Sequence, residues 1–189
     1  MSSKTELASR LQETQRIIEW AISRVPSHRL LEPPPHGKHP QSDRGFKTYF
    51  GEWSALRQLF HLAFYEGMYA VPAMQHCIGG PRPSADLVFP EPELEETAWA
   101  DALAGGVDVA SLLRRLRELR ELQVDMLRDI PQEAWQEERV ETGLGRVSAE
   151  FVVAKTVQHS LEHSNDLMKN ALYWERALQW LDRQPPRGA

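Results

Sequence analysis

Four stretches of this chain repeat their apolar residues every three to four positions, each ended by proline or glycine, and that period leaves little choice of fold. Leu7, Leu11, Ile17, Ile18, Ala21 and Ile22 predict a first helix over Ser3–Val25, stopped by Pro26. Trp53, Leu56, Phe60, Ala63, Phe64 and Met68 predict a second from Glu52 to Val71 or slightly beyond. Asp108 reads as the N-cap of a third, which reaches Ile130 before Pro131, and Ser148 as the cap of a fourth, which continues to Leu181. Glu93–Leu103 reads as a short extra helix. No alternating apolar–polar run of useful length exists, so no sheet is expected. Gly143-Leu144-Gly145 reads as a turn. The expectation is an all-α four-helix bundle in one domain, 1–189. The connections after the first and second helices are long, so crossovers are compatible with it and a simple up-down-up-down order is not required. Pro33-Pro34-Pro35-His36-Gly37-Lys38-His39-Pro40 lies in the first of these connections and suits neither helix nor central strand.

Composition removes whole classes of function. A formal charge of −5 disfavours nucleic acid as a partner. The most basic patch, Arg114, Arg115, Arg117 and Arg120, has Glu118 and Glu121 four residues after Arg114 and Arg117, which reads as a solvated helix face. No apolar run is long enough for a membrane span, and the N-terminal residues have no apolar signal core, so a cytoplasmic protein is expected. Cys77 is the single cysteine, which excludes an internal disulfide and a cysteine-based zinc site. It reads as a small packed residue at a helix end rather than a nucleophile. His28, His36 and His39, irregularly spaced beside prolines, read as solvent-exposed.

One local pattern carries chemistry. His159-Ser160-Leu161-Glu162-His163 sets two imidazoles four residues apart, on one side of the fourth helix, where both can reach one ion. A helical-wheel count puts Val153, Val157, Leu161, Met168 and Ala171 at the centre of that helix's buried stripe. His159 and His163 fall toward its edge, beside Val152, Thr156 and Asn170. His61 likewise borders the apolar centre of the second helix. Such positions suit a ligand triad open to substrate, and equally suit ordinary half-exposed histidines. Several alternatives are absent: no histidine has a glutamate three residues before it, as di-iron bundles require, and there is no H-E-x-x-H, G-x-S-x-G or phosphate-cradling glycine loop.

Gly51-Glu52-Trp53-Ser54-Ala55-Leu56-Arg57-Gln58-Leu59-Phe60-His61-Leu62-Ala63-Phe64-Tyr65-Glu66 resembles the second-helix signature of the DinB-like superfamily: a Trp-Ser start, a His-Leu pair eight residues after the Trp, and a Glu five after the His. The segment from Pro131-Gln132-Glu133-Ala134-Trp135 to Val157-Gln158-His159-Ser160-Leu161-Glu162-His163 resembles its second half. The Pro-rich 79–92 stretch is peculiar to this sequence. The resemblance implies an up-down-down-up bundle, often a homodimer, with one divalent metal held by His61, His159 and His163. Imidazole ligands alone do not pick the metal; availability makes zinc the first choice, nickel or iron next. Glu66 and Asp166 become candidates for orienting a ligand or moving a proton, against the simpler expectation of surface carboxylates. The implied activity is that of a metal-dependent transferase or isomerase using a low-molecular-weight thiol, such as mycothiol or bacillithiol, on a small electrophile. The alternatives are a small hydrolase using metal-activated water, and a non-enzymatic, stress-related binding protein with a structural or vestigial metal.

Overall fold

The computed structural model describes residues 3–35, 47, 49–88 and 91–183; His36 and His39 lie outside them. The bundle helices are α1 (Lys4–Ser23), α2 (Ala55–Tyr65) with its continuation α3 (Val71–Cys77), α5 (Val109–Asp129) and α7 (Ala149–Asp182). Between them lie α4 (Pro92–Ala104) and the short α6 (Gln132–Gln136). The expected caps are in place: Asp108 accepts from the Ser111 N–H at 2.7 Å, and Ser148 from the Phe151 N–H at 3.3 Å. Ser3 caps α1 and Ser54 caps α2 in the same way. Each thereby satisfies one of the N–H groups that a helix start leaves unpaired.

The second helix runs further than its periodicity predicts and changes winding on the way. Glu66–Ala70 forms a π turn joining α2 to α3. Pro72 supplies the cause: it has no N–H to donate backward, and its ring crowds the preceding turn, so the chain widens there instead of breaking.

Chain direction follows from which residues share a core. One cluster collects Leu7 and Leu11 of α1, Tyr65 to Cys77, Leu119 to Leu127 of α5, and Val152, Val153 and Val157 of α7. The other collects Ile18, Ala21 and Ile22, then Ala55 to Ala63, Leu112 and Leu116, and Leu167. The start of α1 thus lies with the end of the second helix, the end of α5 and the start of α7. The order is up-down-down-up. Because the second and third helices run the same way, their connection must travel back along the bundle. It does so through α4, which therefore lies against α2.

Two further features depart from the sequence expectation. Val140–Thr142 (β1) and Gly145–Val147 (β2) form a two-stranded antiparallel hairpin, with Val140 opposite Val147 and both buried. Strands of three residues are too short for alternation to be read. The hairpin closes over Gly143-Leu144, where Gly145 takes a φ of +103° that favours glycine, and Asp86 accepts the Gly143 N–H at 2.6 Å.

The buried face of α7 is also rotated from the expected stripe. Leu161 is 47% exposed, whereas Val152, Thr156 and Ser160 are fully buried. These hydroxyls are compatible with a core because each bonds back into its own helix: Thr156 to the Val152 carbonyl at 2.9 Å, Ser160 to that of Thr156 at 2.8 Å, and Ser164 to that of Ser160 at 2.6 Å. Leu161→Ala should accordingly change unfolding free energy by no more than about 0.5 kcal/mol in a urea titration. A loss of about 2 kcal/mol or more, as for a core leucine, would restore the stripe read from the sequence.

Candidate metal centre

α2 and α7 meet where their three histidines converge. His61 stands two turns into α2, and its Nε2 lies 2.9 Å from Nε2 of His159. The ring centroids are 4.8 Å apart for His61 and His159, 4.7 Å for His61 and His163, and 4.8 Å for His159 and His163. Among the described residues, these three offer ligand atoms that all fall within 4.8 Å of one another. His159 is buried, and His61 and His163 are half-buried. The burial of His159, which the wheel put near the edge, follows from the rotation of α7.

Aromatic rings hold the imidazoles. Trp53 lies parallel to His163, at 8° and 6.0 Å between centroids, and 4.7 Å from His61. The sequence pattern put Trp53 on the apolar centre of the second helix. It actually precedes the Ser54 cap, so the helical period does not apply to it. Tyr65, one turn beyond His61, tilts against His159 at 4.3 Å, and burial pushes its phenol well above its ordinary range.

The environment keeps two of the imidazoles neutral. Burial, reinforced by the charges of His163, His61 and Lys155, pulls His159 down to about 2. Burial, with His61 and Lys155, pulls His163 down to about 3. Nδ1 of each is buried without a hydrogen-bond partner among the described residues. A cation is the partner that neutral imidazole lone pairs accept, and Nε2 of His61 and Nε2 of His159, 2.9 Å apart, are placed to offer theirs to one ion. Two nitrogens on one ion, with bonds of ~2.0–2.1 Å in tetrahedral geometry, lie about 3.3 Å apart, so the His61–His159 pair needs to open by only a few tenths of an ångström. The donor set fits a divalent metal.

Two further residues border the cluster. Glu95, on α4, takes Nδ1 of His61 between both carboxylate oxygens, at 2.8 and 2.9 Å. Arg57 reaches the same carboxylate at 2.9 Å from the turn of α2 before His61. Arg57 could have been suspected from its four-residue spacing to His61. Glu95 had no such signal, because only the crossover brings it there.

Glu66 is not a surface carboxylate. It is fully buried at the start of the π turn. Its Oε1 accepts from Arg120 Nε and Nη2 at 2.9 and 2.8 Å, and its Oε2 from Gln123 at 2.8 Å. Burial pushes this carboxyl above its ordinary range against the pull of Arg120 and Gln123. Arg120 also donates to the Leu11 carbonyl, to Thr14 and, at 2.6 Å, to Ser160, the residue after His159. The basic patch read as a solvated face is therefore divided: Arg114, Arg115 and Arg117 are exposed and Arg120 is core. Asp166 pairs with Lys169 at 2.8 Å. His28 is exposed. Cys77 is buried at the end of α3, and burial pushes its thiol up to about 11, the state of a packed residue rather than a nucleophile.

Comparison with known proteins identifies the fold and the family. A search of curated protein sequences finds no match. Among solved structures, the crystal structure of a mycothiol-dependent maleylpyruvate isomerase superposes with a TM-score of 0.60 at 16% identity, covering 88% of this chain and 63% of that one. A histidine-to-alanine mutant of that isomerase gives 0.57 at 16% identity, with the same coverages. At that identity the likeness is one of fold, and this chain spans less than two thirds of the isomerase's length. The sequence model of the DinB superfamily matches residues 10–167, a range that runs from α1 through the second and third bundle helices and takes in all three histidines. With the fold and the sequence match in agreement over most of its length, the chain belongs to the DinB superfamily.

Proposed function

We propose that His61, His159 and His163 hold one divalent metal ion, zinc first and nickel or iron next, and that the protein is a thiol-dependent enzyme of the S-transferase type acting on a small electrophile. The observation that carries this is the convergence of three imidazoles, two of them kept neutral by burial, on one point between α2 and α7. Three neutral nitrogen ligands leave coordination positions open, as catalytic rather than structural sites do. When bound, such an ion lowers the pKa of a thiol or water and so supplies a nucleophile at neutral pH. The fold shared with an isomerase that is mycothiol-dependent by name favours a thiol as the second reactant.

The chain's own part is positional. Trp53 and Tyr65 restrict the imidazole rings and exclude water from one side. His61 and His163, half-buried, leave the other side in reach of small molecules. Glu66 acts at a distance, by fixing Arg120 and with it Ser160 beside His159. The proposal extends to a cytoplasmic homodimer, tested by light scattering. No described helix is long and apolar enough to cross a membrane.

Elemental analysis of the purified protein should find about one divalent ion per chain, and zinc at a hundred times its Kd should add about 2.7 kcal/mol of stability. His159→Ala should lose the ion, and His28→Ala should keep it. Conjugation of monochlorobimane with several low-molecular-weight thiols should then require all three histidines. Metal retention without thiol or water reactivity would favour a binding protein, and hydrolysis without thiol dependence a hydrolase.

A further inference from the structure

The crossover helix α4 is attached to the bundle in an unusual way. Of its thirteen described residues only Glu95 is buried, with Ala98, Trp99 and Ala102 half-buried against the core. Its first turn has no side-chain cap among the described residues. The one buried residue of the helix is thus a carboxylate, and that carboxylate faces the histidine cluster.

We propose that Glu95 is the positioning residue of the cluster, so that docking of α4 and occupancy of the cluster by a divalent ion are coupled; this rests on the metal reading above. A carboxylate only accepts hydrogen bonds, so Nδ1 of His61, 2.8 and 2.9 Å from its two oxygens, carries the proton. The lone pair of His61 is therefore on Nε2, the nitrogen that faces His159. Glu95 both selects that tautomer and fixes the ring's rotation, and carboxylate partners of this kind also make an imidazole a better donor.

Glu95 is itself clamped. Arg57 Nη2 bonds it at 2.9 Å and bonds Glu96 at 2.8 Å. The Arg57 guanidinium lies 4.9 Å from the Trp53 ring and 5.3 Å from those of Phe60 and Trp99. Trp99 comes from α4, so the helix holds the arginine that holds its own glutamate. Since the His61–Glu95 bond serves both the cluster and the attachment of α4, reciprocity requires that whatever α4 adds to ion affinity, the ion adds to α4 docking.

The test uses the full chain, stripped of metal. Zinc affinity is measured by competition with a chromophoric chelator, and hydrogen exchange over residues 92–104 is followed with and without zinc. Zinc should slow exchange over 92–104 in the wild type. Glu95→Ala should weaken zinc binding about ten- to a hundredfold and remove the zinc effect on α4. Glu95→Gln keeps an acceptor for Nδ1–H and should recover part of both; it also carries the test if the alanine variant fails to fold. Glu96→Ala, which loses an Arg57 contact but none to histidine, should bind zinc within about twofold of wild type. Unchanged affinity in both Glu95 variants, or a zinc effect on 92–104 that survives them, overturns the proposal. If the wild type takes up no zinc, the metal reading and the coupling fall together. Positioning is then judged on the metal-free protein by 15N NMR of the His61 ring. Nδ1–H should be the proton-bearing nitrogen in the wild type and should lose that preference in Glu95→Ala. Identical ring shifts in the two proteins would overturn it.

Discussion

Arg120→Met should lower unfolding free energy by about 3–5 kcal/mol, a large share of the ~5–15 kcal/mol typical of a domain. Arg120 and Glu66 are 3% and 0% exposed at the side chain and 2.8 Å apart. Removing the cation leaves a carboxylate in the core with Gln123 as its remaining donor, and strips a partner from the Leu11 carbonyl, Thr14 and Ser160 at once. Those groups belong to all four bundle helices, so the loss falls on the whole assembly. The pair is not thereby a source of net stability, because taking two charges out of water is costly in itself. The double variant Arg120→Met/Glu66→Leu should therefore recover most of the single variant's loss in guanidinium chloride titrations, with a coupling of about 2 kcal/mol or more. A single variant within about 1 kcal/mol of wild type would mean that Glu66 is neutral in the native protein and that the network does not set helix register.

The same network marks where sequence reasoning stopped. Helix positions, two of the caps and the two imidazoles of α7 were legible because each depends on residues a few positions apart. Ser148 followed by the long apolar period from Val152 can hardly be anything but a helix start. His61 became legible only beside the Trp53-Ser54 and His159-x-x-x-His163 patterns that carry the family resemblance. What failed was the inference from polarity to exposure. Leu161 read as core and Thr156 as the edge of the stripe, yet Thr156, Ser160 and Ser164 satisfy their hydroxyls on their own helix and are buried, while Leu161 faces outward. Arg120 looked like its neighbours Arg115 and Arg117; its difference lies in Glu66, fifty-four residues away on another helix. Glu95 lay beyond any local rule, because its contact exists only once the parallel second and third helices force their connection back along α2.

Acidification should destabilise the metal-free protein well before its carboxylates titrate. His159 and His163 are held to about 2 and about 3 in the folded state by burial first and neighbouring charge second. In the unfolded chain each titrates near 6.5. The folded pKa values are depressed, so the unfolded state binds more protons between those limits. The stability these groups contribute is complete above about pH 6.5 and is lost progressively as pH falls toward 3. At pH 5 the linkage amounts to roughly 2 kcal/mol for each imidazole, about 4 kcal/mol together. Urea unfolding with chelator present, at pH 7 and pH 5, isolates this share by comparison of the wild type with the histidine variants, since Glu66, whose carboxyl burial raises, is common to all of them. His159→Leu should remove about half of the difference and His159→Leu/His163→Leu most of it. In that window the folded rings stay unprotonated, so an ion bound to them should leave through unfolding rather than through protonation in place. Equal stability of the wild type at the two pH values would show that these rings accept protons in place, and a cluster that does so is too wet to hold three neutral ligands around one ion.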